Sequence, residues 1–265
     1  MKTYLILLLL ACSFSVNAQQ SVPLGIEECT SYVPFGRPSS SKQNTTVICR
    51  KGYILEHDNK AKIPAWVSYV LMPEHTIGCI KRSNAFAPDM SLPFDFRSSI
   101  KDYAKSGYDI GHLANGADMA WDIVVEKDSF ILSNMTPQLP GFNRGIWKKL
   151  EDQTRAFSKN RNHNLLIYVG PIYNYTQDKI IGNNVIVPHA FFKIIIDLET
   201  NEIIVTKFVH ESSNAKLSTF ITSLSQIQQD TGIAFPMPKN GKFSTEMWTS
   251  STRSVRASKG LACSN

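Results

Sequence analysis

Apolar residues in this chain gather in short runs more often than in long helical stripes. Trp66 to Leu71, Ser129 to Leu132, Leu165 to Val169, Val185 to Val187, Phe191 to Ile196 and Ile203 to Val209 are rich in Val, Ile, Phe and Tyr. Gly, Pro, Asn or Asp bound them, as expected of strands closed by turns. Helical spacing shows in two places. One helix is predicted from about Ile146 to Phe157. In the other, Leu217, Phe220, Ile221, Leu224 and Ile227 recur at helical intervals, and Gly232 stands where a C-terminal stop belongs. The polar, Pro/Ser-rich residues 37–46 read as a surface loop. Strands dominate and helices interrupt them irregularly, which favours an α+β fold with a mixed or antiparallel central sheet over an alternating doubly wound one.

The first residues change the picture of the domain. Lys2 precedes an apolar run from Tyr4 to Leu10, and Val16-Asn17-Ala18 places small residues at cleavage-type positions. This is the layout of a secretory signal peptide, with a run too short to span a bilayer. We therefore expect a signal peptide over 1–18, a single domain over 19–265, and a secreted or periplasmic location without membrane attachment. Removing Lys2 with that segment lowers the formal net charge from +6 to +5. A basic surface suits a polyanion such as nucleic acid. Cys29, Cys49, Cys79 and Cys263 would remain. An even number in an oxidising compartment implies disulfides, and four cysteines allow three pairings. Cys29–Cys49 closes a short polar loop and Cys79–Cys263 would fasten the C-terminal tail, so these are the expected pairs. The wide spacings and the absence of a Cys-x-x-Cys pair disfavour zinc.

Chemistry concentrates between Asp109 and Glu151. Tyr108-Asp109-Ile110-Gly111-His112-Leu113-Ala114 is followed by Ser133-Asn134-Met135-Thr136-Pro137-Gln138, then by Gly141-Phe142-Asn143-Arg144-Gly145-Ile146-Trp147 and Leu150-Glu151-Asp152. Phosphodiester hydrolysis needs a water deprotonated near neutral pH, and histidine titrates closest to that range. It also needs positive charge for the phosphate and the leaving oxygen, which a hard cation supplies. Mg²⁺ takes oxygen ligands and keeps much of its water shell, so one or two protein oxygens suffice. Asn143 offers an amide oxygen and Glu151 a carboxylate. On one continuous helix their spacing would displace them by roughly 12 Å. Asn143 is then the better direct ligand, with Glu151 behind a water. Asn134 and Gln138 are candidates to orient His112. Taken singly, each of these residues has a plainer role as cap, turn or core; their order and spacing together favour a site. His57, His75, His163, His189 and His210 are scattered without metal-ligand spacing.

The combined segment resembles the DNA/RNA non-specific endonuclease family, whose pattern is Asp-Arg-Gly-His, then Asn-x-x-Pro-Gln, then Asn-x-Gly-x-Trp and a following Leu-Glu. The chain matches at Asp109, Gly111 and His112, at Asn134, Pro137 and Gln138, and at Asn143, Gly145, Trp147, Leu150 and Glu151. Weaker similarity runs from Cys49-Arg50-Lys51-Gly52-Tyr53 to Thr231-Gly232. The resemblance implies a ββα-metal finger and cleavage of DNA and RNA with little sequence preference, leaving 5′-phosphate ends. It implies His112 as general base, Asn143 as the Mg²⁺ ligand with Mn²⁺ able to substitute, and Glu151 holding water of the ion's shell. Asn134 and Gln138 would support the site, and Arg155 would lie near the scissile phosphate. Arg144, Lys148 and Asp109 are the further substrate-side candidates. A homodimer is left open, and no protein partner is identifiable.

Ile110 departs from the pattern, standing where the family has arginine. Residues two apart on a strand share a face, so position 110 should face the same side as His112. Arg155, then Arg144, are the expected sources of compensating charge. Two alternatives follow: a catalytically weakened or inactive nucleic-acid-binding homologue, and a disulfide-stabilised module with no nucleic-acid role.

Overall fold

In the computed structural model, which describes residues 20–246, the β-branched runs form one seven-stranded sheet. Its order is 242–243, 202–209, 190–197, 165–172, 63–71, 53–58 and 45–50. Every pairing is antiparallel except that of Glu202–Val209 with Lys242–Phe243. The α+β expectation is borne out. The expected strands at 66–71, 165–169, 191–196 and 203–209 lie within this sheet, and Val185–Ile186 pairs separately with Ile180–Ile181.

Both faces of the sheet are covered, which explains why its central strands read as continuous apolar runs. Alternate side chains enter different cores. Val67, Tyr69, Ile167, Val169, Phe191 and Ile195 pack with Trp147, Leu150 and Phe157 of the helical segment on one side. Trp66, Leu166, Tyr168, Phe192, Ile194 and Ile196 pack with Ile227, Ile233 and Phe235 on the other. The helix that carries the candidate site thus rests on a rigid wall. The Cys29–Cys49 disulfide forms as expected and ties the 3-10 turn Ile26–Tyr32 to the strand Thr45–Arg50. Cys79 is also disulfide-bonded; its expected partner Cys263 lies outside the described residues, as does the expected signal peptide over 1–18.

Local expectations fail where tertiary structure overrides propensity. The strand expected at Ser129 to Leu132 is instead the end of a helix, Ile123–Ser129, followed by a 3-10 turn at Leu132–Asn134. The Asp122 carboxylate caps that helix by accepting from the Val124 and Val125 amides, which offsets the strand preference of Ile123-Val124-Val125. The helix expected across Leu217 to Ile227 breaks in two, a 3-10 turn Leu217–Phe220 and a helix Leu224–Thr231 capped by Ser223. Gly232 ends the latter with φ +68°, the left-handed stop its position suggested. The polar segment 37–46 is less of a loop than expected, since Ser39–Ser40 pair with Ile233–Ala234 and a strand begins at Thr45. Among the described residues no helix is long and apolar enough to cross a membrane.

Candidate active site

The site is a two-stranded finger followed by a helix. Strand Asp109–His112 pairs antiparallel with Met135–Gln138, with Asp109 opposite Gln138 and His112 opposite Met135. Gly111 is glycine because Gln138 lies against it: a Cβ there would fall 2.2 Å from Gln138 Cδ. Asn134 is fully buried and fastens the finger's far end. Its amide nitrogen donates to the carbonyls of Ala114 and Ser129, and its oxygen accepts from the Ala114 amide. This fixes the backbone two residues beyond His112.

The His112 ring packs edge-on against Phe130 and near Phe86. Its Nε2 is buried with no hydrogen-bond partner. A buried polar atom without a partner is costly and asks for a function. Burial, followed by the charge of Arg82, pushes the imidazole down to about 3, so at neutral pH the ring is uncharged. Arg82 lies across the Phe130 ring at 4.7 Å and is held by Asn84. Gly116 faces both groups. A Cβ on it would stand 3.4 Å from an Arg82 guanidinium nitrogen and 3.5 Å from His112 Nε2. A bare imidazole nitrogen and a guanidinium therefore converge on Gly116, and Arg82, Gly116 and Arg155 line an adjoining cleft of about 280 Å³.

Asn143 meets the finger at Asp109. It sits in a π-helical segment, Phe142–Trp147, with a kink at Gly145 before the α-helix Lys148–Arg161. The helix expected from about Ile146 to Phe157 is present as Lys148–Arg161, but the kink at Gly145 before it means that Asn143 and Glu151 do not lie on one continuous α-helix. The Asn143 amide nitrogen donates to Asp109 Oδ2 at 2.9 Å. A carboxylate only accepts, so this bond fixes which end of the amide is which. Asn143 Oδ1 accepts no hydrogen bond among the described residues, and a lone amide oxygen on a braced turn suits a hard cation. Asp109 also forms a two-point pair with Arg144, an exposed side chain.

Glu151 belongs to a buried ionic cluster beneath the helix. Lys193, on the central strand Ala190–Asp197, lies 4.0 Å from it, and both are nearly inaccessible. Burial raises the Glu151 carboxyl above the usual carboxylate range, while Lys193 pulls against that rise. Burial likewise lowers the Lys193 ammonium. Arg155 donates to Asp118 at 2.7 Å and also contacts Asp152 and Asn115, and Asp118 accepts from the Tyr69 hydroxyl. Arg155 thus reaches the cleft with its charge already shared. Lys148 pairs with Asp152 on the exposed helix face.

Ile110 packs against the apolar group around Tyr103, Ile181 and Val185, not against the aromatic rings beside His112. Arg82 and Lys193 escaped the sequence reading. Arg82 stands thirty positions before His112 with no motif around it, and Lys193 reads as one polar residue in an apolar strand. Its full burial in a sheet was the only signal it offered. A second grouping, His163, Asp197 and Glu199, has metal-type side chains. Its atoms are used locally: Asp197 accepts from His163 and from the Glu199 and Thr200 amides, and Glu199 accepts from the Asn164 amide. It lies past the C-terminal end of Lys148–Arg161, about 20 Å along the axis from that helix's start.

A family model described as DNA/RNA non-specific endonuclease matches residues 34–240. Endonuclease G of Caenorhabditis elegans is 32% identical over 209 residues, covering 71% of this chain and 67% of the relative. Human endonuclease G is 30% identical over 202 residues, covering 70% and 68%. A chain in the crystal structure of the EndoG/EndoGI complex superposes with a TM-score of 0.72 at 27% identity, covering 78% of this chain and 91% of that one. The expectation of a secreted or periplasmic location is corrected by these relatives. The worm and human proteins, like the bovine and yeast ones, are named as mitochondrial. The apolar run at Tyr4 to Leu10 is a compositional signal only.

Proposed function

Because the chain belongs to the DNA/RNA non-specific endonuclease family, we propose that its nuclease chemistry is hydrolysis of DNA and RNA with little sequence preference, centred on His112, Arg82 and Asn143. The observation that carries this reading is the bare, buried Nε2 of His112 converging with Arg82 on the space before Gly116. The charge of Arg82 suits a phosphodiester there. Arg82 would hold a non-bridging oxygen. A water beside Nε2 would lose its proton to His112 as its oxygen bonds to phosphorus. The phosphorus–O3′ bond breaks and the departing oxygen takes a proton from solvent, leaving a 5′-phosphate and a 3′-hydroxyl. The depressed basicity of His112 in the free protein keeps the lone pair available; an anionic phosphate beside Arg82 would offset the smaller part of that depression, the part due to Arg82, while burial is the larger cause.

Asn143 Oδ1 is the direct Mg²⁺ ligand in this reading, with Mn²⁺ able to replace it, and Glu151, buried beside Lys193, would hold water of the ion's shell. The ion, when bound, stabilises negative charge on the phosphate and the leaving oxygen. Asp109 holds Asn143 in place. Asn134 and Gln138 hold the finger, Arg155 extends the positive side of the cleft, and Arg144 and Lys148 are exposed cations for the substrate backbone.

Weakened catalysis is the second reading, favoured by Ile110 alone. The position of Arg82 beside His112 supports the active reading over it. The test is cleavage of plasmid DNA and of RNA with Mg²⁺, with Mn²⁺ and with chelator. Cutting of both polymers with either metal and none with chelator is expected. Binding without cutting, rescued by Ile110→Arg, would establish the second reading instead.

A further inference from the structure

Asn143 can serve as a ligand only if its turn is held still, and the structure shows what holds it. The turn begins at Leu139. The Leu139 carbonyl accepts from the Phe142 amide at 3.0 Å and from the Asn143 amide at 2.9 Å. The Leu139 amide in turn donates to Nε2 of His210 at 2.7 Å, a residue 71 positions away. The other ring nitrogen, Nδ1, lies 2.7 Å from the Pro188 carbonyl.

These partners define the tautomer without ambiguity. A backbone amide only donates and a carbonyl only accepts, so Nε2 carries the lone pair and Nδ1 the proton. Burial keeps the ring below its ordinary value, consistent with a neutral acceptor. His210 follows the strand Glu202–Val209 directly, and its amide continues the ladder by donating to the His189 carbonyl. Its ring is packed edge-on against Phe142 and Phe191 and lies 6.0 Å from Tyr108, the residue before the finger. One imidazole therefore joins the central sheet, the entrance of the finger and the turn bearing Asn143.

The neighbouring residue Ser212 strengthens the same contact. A Cβ on Gly141 would fall 1.8 Å from Ser212 Oγ, so the segment after His210 lies directly on the turn. No room exists there for a looser arrangement with any larger residue at 141.

We propose that His210 is a positioning residue for Asn143, transmitting the rigidity of the central sheet to the metal-binding turn through the Leu139 peptide. The proposal rests on the reading of Asn143 as the metal ligand. His210→Phe keeps the ring packing but leaves the Leu139 amide unpaired. His210→Gln can accept that hydrogen bond through its side-chain oxygen.

The experiment has two readouts, neither of them turnover. Amide hydrogen exchange reports the turn itself, and Mn²⁺ binding without nucleic acid, followed by electron paramagnetic resonance, reports the site. In His210→Phe, the amides of Leu139, Phe142 and Asn143 should exchange faster and Mn²⁺ affinity should fall about tenfold or more, as for partners that orient metal ligands. His210→Gln should restore both. Unchanged exchange in a folded His210→Phe protein overturns the proposal whatever the activity, and so does faster exchange with wild-type Mn²⁺ affinity. Should His210→Phe fail to fold, Gly141→Ala pushes the same turn from the other side. It must weaken Mn²⁺ binding, and Ser212→Gly added to it must recover affinity; failure of either step also overturns the proposal. A wild-type protein that leaves nucleic acid intact would defeat the nuclease reading alone, since the exchange result stands apart from it.

Discussion

At Gly116 the absence of a side chain leaves the space in which His112 and Arg82 meet. Arg82→Ala should lower cleavage about 10²-fold or more, the usual cost of removing one preorganised donor of transition-state charge. Because Arg82 is exposed, its melting temperature should match wild type. Activity unchanged by this variant would remove Arg82 from the site. Gly111→Ala acts differently, forcing the buried Gln138 side chain aside. Such overpacking should cost about 1–3 kcal/mol in denaturant unfolding. His112 also leaves a mark on stability. Its folded value is about 3, below the ordinary value near 6.5. Between these limits the unfolded chain binds the extra proton, so its contribution is complete above pH 6.5 and is lost as pH falls toward 3. Subtracting the stability–pH curve of His112→Gln from that of wild type should isolate this slope, and a flat difference would contradict the buried neutral ring. The segment from Asp109 to Glu151 stood out as a candidate site because its residues follow one another closely along the chain. Arg82 and His210 did not, because only folding brings them to that segment.

Elements explain what the motif spacing left open. Spacing on one ideal helix would separate Asn143 from Glu151 by two turns, which argued for different relations to a metal. The chain solves this with a π-helical segment and a kink at Gly145, so that Asn143 faces the finger while Glu151 faces the sheet. Periodicity in the sequence finds the helix but not the π turn, since the added residue in one turn leaves no compositional trace. The strand expected at 129–132 failed because the helix capped by Asp122 runs on to Ser129. The Cys29–Cys49 pair was legible from its spacing. Closing a loop of about 20 residues, it should contribute about 3 kcal/mol through the unfolded state. Thermal unfolding of Cys29→Ser/Cys49→Ser against wild type checks this, and equal midpoints would show that the 3-10 turn holds without the link.

At the scale of the whole molecule, the sheet is a wall with chemistry on one side. Strand composition announced the strands, but their order depends on contacts across most of the chain, which no local pattern records. The basic net charge of +6 suits a polyanionic substrate at this site. If exposed cations such as Arg144 and Lys148 hold the polymer backbone, DNA affinity measured with a non-cleaving variant should fall linearly in a log–log plot against salt. The slope should be near −0.9 for each phosphate neutralised, and an affinity indifferent to salt would argue against a backbone-directed surface. The central claim is that His112 takes the proton from the attacking water. The most direct measurement compares wild type with His112→Ala on the same plasmid DNA and RNA in Mg²⁺, with binding followed in parallel. Loss of cutting with retained binding is the predicted result; a folded His112→Ala protein that cuts at the wild-type rate would contradict the account.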